Sequence, residues 1–76
     1  MNVTQEEILS IVVSTGASAD ISEIKGDTLL SKVGIDSLEM MDVLLRIEEK
    51  FSIKIPDEDI DALNTIDSIV SYLQKL

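Results

Sequence analysis

The sequence predicts an all-α fold, a four-helix bundle with a long loop between helices one and two and a short third helix. Three observations carry this reading. Helix-start signals recur at Thr4, Asp36 and Thr65. Apolar residues follow those starts at helical spacing. Pro56, with the acids Asp57, Glu58 and Asp59 behind it, marks one more short helix between the second and the last.

Helix one begins at Thr4, which forms a Ser/Thr-x-x-Glu capping box with Glu7. Ile8, Leu9, Ile11 and Val12 supply its apolar stripe, and Gly16 supplies a stop. The β-branched run Ile11-Val12-Val13 favours a strand locally, but the cap and the spacing decide for helix. Residues 17 to 35 form a loop longer than a small domain usually carries, and such loops are commonly functional. Ile21, Ile24, Leu29, Leu30 and Val33 are the residues expected to pin it to the core. Asp36 and Glu39 form a second box and open helix two, which runs to about Phe51. Ser52 to Ile55 is extended, as residues before proline tend to be. Pro56 suits the first turn of helix three. Thr65 caps helix four, whose stripe is Ile66, Ile69, Val70, Leu73 and Leu76.

Seventy-six residues make one domain, 1–76, that buries only roughly 60% of its unfolded surface. With no cysteine and no histidine, neither disulfides nor a structural zinc support it, so aliphatic packing must. The net charge of −9, from fifteen acids against six bases, excludes nucleic acid and anionic membranes as partners. Basic protein surfaces fit instead. The start, Met1-Asn2-Val3-Thr4, lacks the basic region and apolar core of a signal peptide, and no run approaches the roughly 20 apolar residues of a membrane span. A cytoplasmic monomer is expected. Catalysis is not: the chain lacks the nucleophile–base pairs that enzymes use, and no residue is read as catalytic or metal-binding. Asp57, Asp59 and Asp61 alternate like the start of a calcium loop, but Ala62 and Ser68 stand where glycine and glutamate are required.

Helix two is the informative segment. On a wheel of about 100° per residue, Met40, Val43, Leu44, Ile47 and Phe51 gather on one arc, an ordinary core face. Leu38, Met41 and Leu45 gather nearly opposite, edged by Asp42, Glu48 and Glu49. An outer helix of a small bundle needs one apolar face. The second is read as a docking surface, apolar anchors rimmed by carboxylates for a partner with a basic rim.

At the start of that helix, Gly34-Ile35-Asp36-Ser37-Leu38-Glu39 resembles the Gly-x-Asp-Ser-Leu signature of the acyl carrier proteins. Ile47-Glu48-Glu49-Lys50-Phe51, followed by Ile55-Pro56-Asp57-Glu58, is similar to that family's helix-two end and Ile-Pro-Asp-Glu turn. Residues 65–72 resemble its final helix, so the likeness covers nearly the whole chain. The resemblance implies that a phosphopantetheinyl transferase moves 4′-phosphopantetheine from coenzyme A onto Ser37, and that the arm's thiol then bears an acyl chain as a thioester. It implies a second role for Asp36, engagement of that transferase, beside its capping. It assigns Leu38, Met41, Asp42, Leu45, Glu48 and Glu49 to recognition of acyl-transferring, condensing and modifying enzymes. It also implies a cavity between helices that shields the chain, for which Met40, Val43, Ile55, Ile60, Leu63 and Ile69 are the candidates. Elementary chemistry points to Ser37 as well. A phosphodiester there meets unpaired backbone N–H groups and the positive end of the helix dipole, and Ser37 follows the cap, so its hydroxyl is not needed for capping.

Lys32, Val33, Arg46, Lys50 and Ile60 depart from the housekeeping fatty acid pattern and fit a specialised carrier of a polyketide or other secondary pathway at least as well. Two other readings stay open. Peptidyl or aminoacyl carriers usually lack the aspartate before the serine, so Asp36 favours acyl cargo. An unmodified acidic helical adaptor would tolerate loss of Ser37.

Overall fold

Thr4 accepts a hydrogen bond from the Glu7 backbone N–H at 3.2 Å, and from there the chain enters α1, Gln5–Ser14. The coordinates are a computed structural model that describes residues 2–15 and 24–76. The expected stop at Gly16 and the expected anchor Ile21 lie outside those residues. Glu7 completes the start of α1 by accepting from the Thr4 hydroxyl at 3.3 Å. The β-branched run is helical because burial outweighs propensity: Ile11 and Val12 lie in the core, and only Val13 faces solvent.

Among the described residues every regular element is helical. The long loop is not featureless, since Leu30–Val33 forms a 3-10 turn. Ile24 and Leu30 are buried as expected and Val33 is half-buried, but Leu29 is exposed. Leu29 is the cap residue of that turn, in extended backbone, and its side chain leaves the core as the turn begins. The turn ends on Gly34 at φ 93°, a left-handed conformation, with its N–H donating to the Leu30 carbonyl. A Cβ at Gly34 would meet nothing within 4 Å. Backbone angle, not space, makes glycine the fitting residue here.

Helix α2 spans Ser37–Phe51, with Asp36 as its cap. Its C-terminal cap, Ser52, is left-handed at φ 55° rather than extended, and donates to the Glu48 carbonyl. The predicted extended segment therefore begins one residue later, after this turn has redirected the chain. Helix α3 is Asp57–Ile60 and α4 is Ile66–Gln74. Pro56 sits at the cap of α3, one residue before the first turn to which the sequence assigned it. Thr65 caps α4 through a full box completed by Ser68, each taking the other's backbone N–H at 3.0 Å. Leu76 is not part of the α4 stripe: the helix ends at Gln74 and Leu76 is 56% exposed.

Helix α1 packs against α2 and α4, and the core lies between them. Ile8, Ile11 and Val12 of α1 meet Val43, Leu44 and Ile47 of α2 and Ile66, Ile69, Val70 and Leu73 of α4. Val3, Ile35, Ile55 and Leu63 fill the core from the connections, and no polar residue is buried with them among the described residues. Helix α3 buries none of its own residues. It is fastened from α4 by the Tyr72 hydroxyl, which donates to the Asp59 carboxylate at 2.7 Å. That bond, partial burial and the charges of Asp59 and Glu58 push the phenol above its ordinary range. No described helix is long and apolar enough to cross a membrane.

The left-handed turn before α2 gives a direct test. Gly34→Ala should cost about 1–2 kcal/mol in denaturant unfolding, and Gly34→Asn should recover part of it, because asparagine tolerates this region. Equal losses for both variants would show that the strain lies elsewhere.

Candidate functional site

Asp36 fixes the start of α2. Its carboxylate accepts from the Glu39 backbone N–H at 2.8 Å, and its own N–H donates to the Glu39 carboxylate at 3.4 Å. With the cap supplied by Asp36, the hydroxyl of Ser37 at the first helical position is left uncommitted, and Asp36, Ser37 and Leu38 are all exposed. The first-turn N–H groups and the dipole make this end of α2 a favourable place for a phosphodiester. The residues present therefore fit a phosphate-linked arm on Ser37.

A hollow of about 410 Å³ opens beside Ser37, within the roughly 300–1,000 Å³ of small-molecule sites. Leu30, Ile35, Met40, Met41, Ile60 and Leu63 line it, and Ser31, Asp36, Asp61 and Asn64 are its polar members with Ser37. Of the residues the sequence proposed for an acyl cavity, Met40, Ile60 and Leu63 meet here. Val43 and Ile69 lie in the closed core, 0% and 1% exposed, and Ile55 lines a separate hollow. The helical stripe could not separate hollow from core, because both are apolar. Leu30, Ser31, Ile35 and Asn64 were missed as lining residues. They sit on connections, where no periodicity signals a shared wall.

The outer arc of α2 is open: Leu38, Met41 and Leu45 are 81%, 46% and 51% exposed. Its acids differ in their freedom. Asp42 faces Arg46 at 3.4 Å, and Arg46 also donates to the Ser14 hydroxyl at 3.2 Å, tying α2 to the end of α1. As an exposed pair it is worth only about 0.3–0.5 kcal/mol. Glu48 is half-buried and accepts from the Ile55 backbone N–H at 2.8 Å, holding the chain as it returns from the Ser52 turn. Glu49 is exposed. Lys50 lies 5.9 Å from the Phe51 ring centroid, over a residue that only half enters the core.

The exposed Ser37 hydroxyl thus stands at the start of α2, at the edge of an apolar hollow. Comparison with known proteins gives the family. The family model described as a phosphopantetheine attachment site matches residues 6–73. The meromycolate extension acyl carrier protein of Mycobacterium tuberculosis is 38% identical over 80 residues, covering all of this chain and 70% of that protein. An acyl carrier protein of Rhodococcus erythropolis is 39% identical over 77 residues, 96% of this chain and 85% of that one. The fold matches the solution structure of a butyryl carrier from the actinorhodin polyketide synthase of Streptomyces coelicolor. The TM-score is 0.82 at 20% identity, over 99% of this chain and 91% of that one. The chain belongs to the phosphopantetheine-bearing acyl carrier proteins, the carriers of fatty acid and polyketide-type synthesis.

The two acids at the end of α2 should behave differently. Glu48→Ala strips the Ile55 N–H of its acceptor and should cost about 1–2 kcal/mol in chemical denaturation. Glu49→Ala should stay within about 0.5 kcal/mol. Equal effects would mean that the Glu48 bond contributes nothing to the fold.

Proposed function

We propose that the chain carries acyl intermediates on a 4′-phosphopantetheine arm attached to Ser37, and presents them to successive biosynthetic enzymes without catalysing a step itself. When bound, the arm supplies a thiol that holds the acyl group as a thioester. The chain's own residues do the rest. The observation that carries the reading is the exposed Ser37 hydroxyl, released from capping by Asp36, beside the apolar hollow. Asp36 sets the direction of the helix start, so an approaching phosphopantetheinyl transferase meets Ser37 on an ordered turn. Met40, Ile60 and Leu63 give the cargo an apolar wall, worth about 0.8 kcal/mol for each methylene removed from water.

Leu38, Met41 and Leu45 form the contact surface for acyl-transferring, condensing and modifying enzymes, with Glu49 as its freest carboxylate and Asp42 and Glu48 as acids already engaged within the fold. Cytoplasmic action is supported by the net charge of −9, which repels anionic membranes and nucleic acid. The likeness to a meromycolate extension carrier and the departures at Arg46 and Ile60 support a specialised pathway over a housekeeping one.

Incubation with coenzyme A, magnesium and a broad-specificity phosphopantetheinyl transferase should raise the intact mass by one phosphopantetheine, and Ser37→Ala should abolish the gain. A folded protein that gains nothing would refute the carrier reading; a gain retained in Ser37→Ala would move the arm to another residue.

A further inference from the structure

Arg46 is held from two sides. Its Nε lies 3.4 Å from the Asp42 carboxylate, one turn back on α2, and its guanidinium donates to the Ser14 hydroxyl at 3.2 Å, at the end of α1. Ser14 in turn donates its own proton to the Ile11 carbonyl at 2.7 Å, which leaves its lone pairs for the guanidinium. We propose that Arg46 sets partner specificity: it cancels the charge of Asp42 on the outer face of α2, so that Glu49 receives the basic group of a partner enzyme. The proposal rests on the reading of that face as the contact surface for the enzymes that load and use the carrier.

Asp42 and Glu49 are seven residues apart, two turns or about 10 Å along the helix, on the strip that also carries Leu38 and Leu45. They are not equivalent to an approaching cation. At Asp42 it meets the guanidinium as well as the carboxylate, so attraction and repulsion offset, even though the exposed pair adds little to stability. The bond to Ser14 keeps Arg46 from swinging clear of the face. Glu49 is exposed and has no hydrogen bond or ion pair among the described residues. Glu48, beside it, is turned toward the Ile55 N–H. The effective negative charge of the strip therefore lies at its far end, twelve residues or about 18 Å along the helix from Ser37, rather than at about 8 Å, where Asp42 stands. An enzyme whose basic group lies at the longer distance from its reaction centre is favoured over one that reaches for Asp42.

The test is the loading reaction, with coenzyme A, magnesium and a phosphopantetheinyl transferase, the carrier concentration being varied at low salt. Arg46→Gln should lower the KM for the carrier about two- to fivefold, the scale of one exposed ion pair, with the change in KM rather than kcat. Adding Asp42→Asn should cancel that gain, and Arg46→Lys, which restores the charge, should show none. Glu49→Gln should raise KM by a similar factor. Lys75→Gln, an equal change of charge at the end of α4, should give a smaller gain than Arg46→Gln. A KM that Arg46→Gln leaves unaltered or raises would overturn the proposal, as would a gain that survives Asp42→Asn or is matched by Lys75→Gln. Leu45→Ala separates this failure from that of the underlying reading. If it raises KM while the charge variants do nothing, only the role of Arg46 fails; if it does not, the outer face is not the contact surface and the proposal falls with it. A parent chain that gains no mass at all has failed earlier, at the carrier reading.

Discussion

Two backbone hydrogen bonds hold the segment before α2 against the start of α4. The Leu30 N–H donates to the Asn64 carbonyl at 3.0 Å, and the Asp67 N–H donates to the Gly26 carbonyl at 2.9 Å. The approach at Gly26 is so close that a Cβ would fall 2.4 Å from the Asp67 carboxylate, which also accepts from Gln5 at the start of α1. Everything at the site follows from this attachment. It seats Leu30 in the core, runs the 3-10 turn into Gly34, and delivers Asp36 where it can cap α2. It also brings Leu63 and Asn64 to the hollow, opposite Met40. The described part of the loop, anchored by Ile24, Leu30 and Ile35, is thus also held by main-chain bonds ahead of Ser37.

Helix α2 then serves two demands with one sequence. Its inner stripe, Val43, Leu44 and Ile47, is sealed against α1 and the rest of the core. Its outer stripe stays in water despite three large apolar residues, an arrangement that costs solubility unless a partner covers it. The surrounding negative charge disfavours contact with other acidic surfaces and favours a basic one. Arg46 and Glu48 temper that picture. Arg46 neutralises Asp42 and reaches α1, and Glu48 serves the backbone of its own fold, so fewer acids are free for a partner than the composition suggests.

Much of this was legible from residues alone, for physical reasons. Asp36 with Glu39, and Thr65, announce helix starts because capping is a local event encoded within four residues. The two faces of α2 follow from periodicity. What was misread depends on groups distant in sequence or on backbone angles. Ser52 adopts a left-handed turn that its side chain does not advertise. Leu76 continues the α4 spacing past the point where the helix stops. Glu48 finds its partner seven residues away in a connection, and Ser31 and Asn64 meet at the hollow across the bundle. Val43 and Ile69 are packed into the core, whereas Met40, Ile60 and Leu63 line the hollow.

Whether a chain held on Ser37 shelters in the hollow beside it, as proposed, can be read from contacts between nuclei. In the protein loaded with an isotope-labelled acyl chain, nuclear Overhauser contacts are expected from the chain's methylenes to the side chains of Met40, Ile60 and Leu63. Contacts confined to Leu38 and Leu45 on the outer face, or none to any side chain, would contradict it.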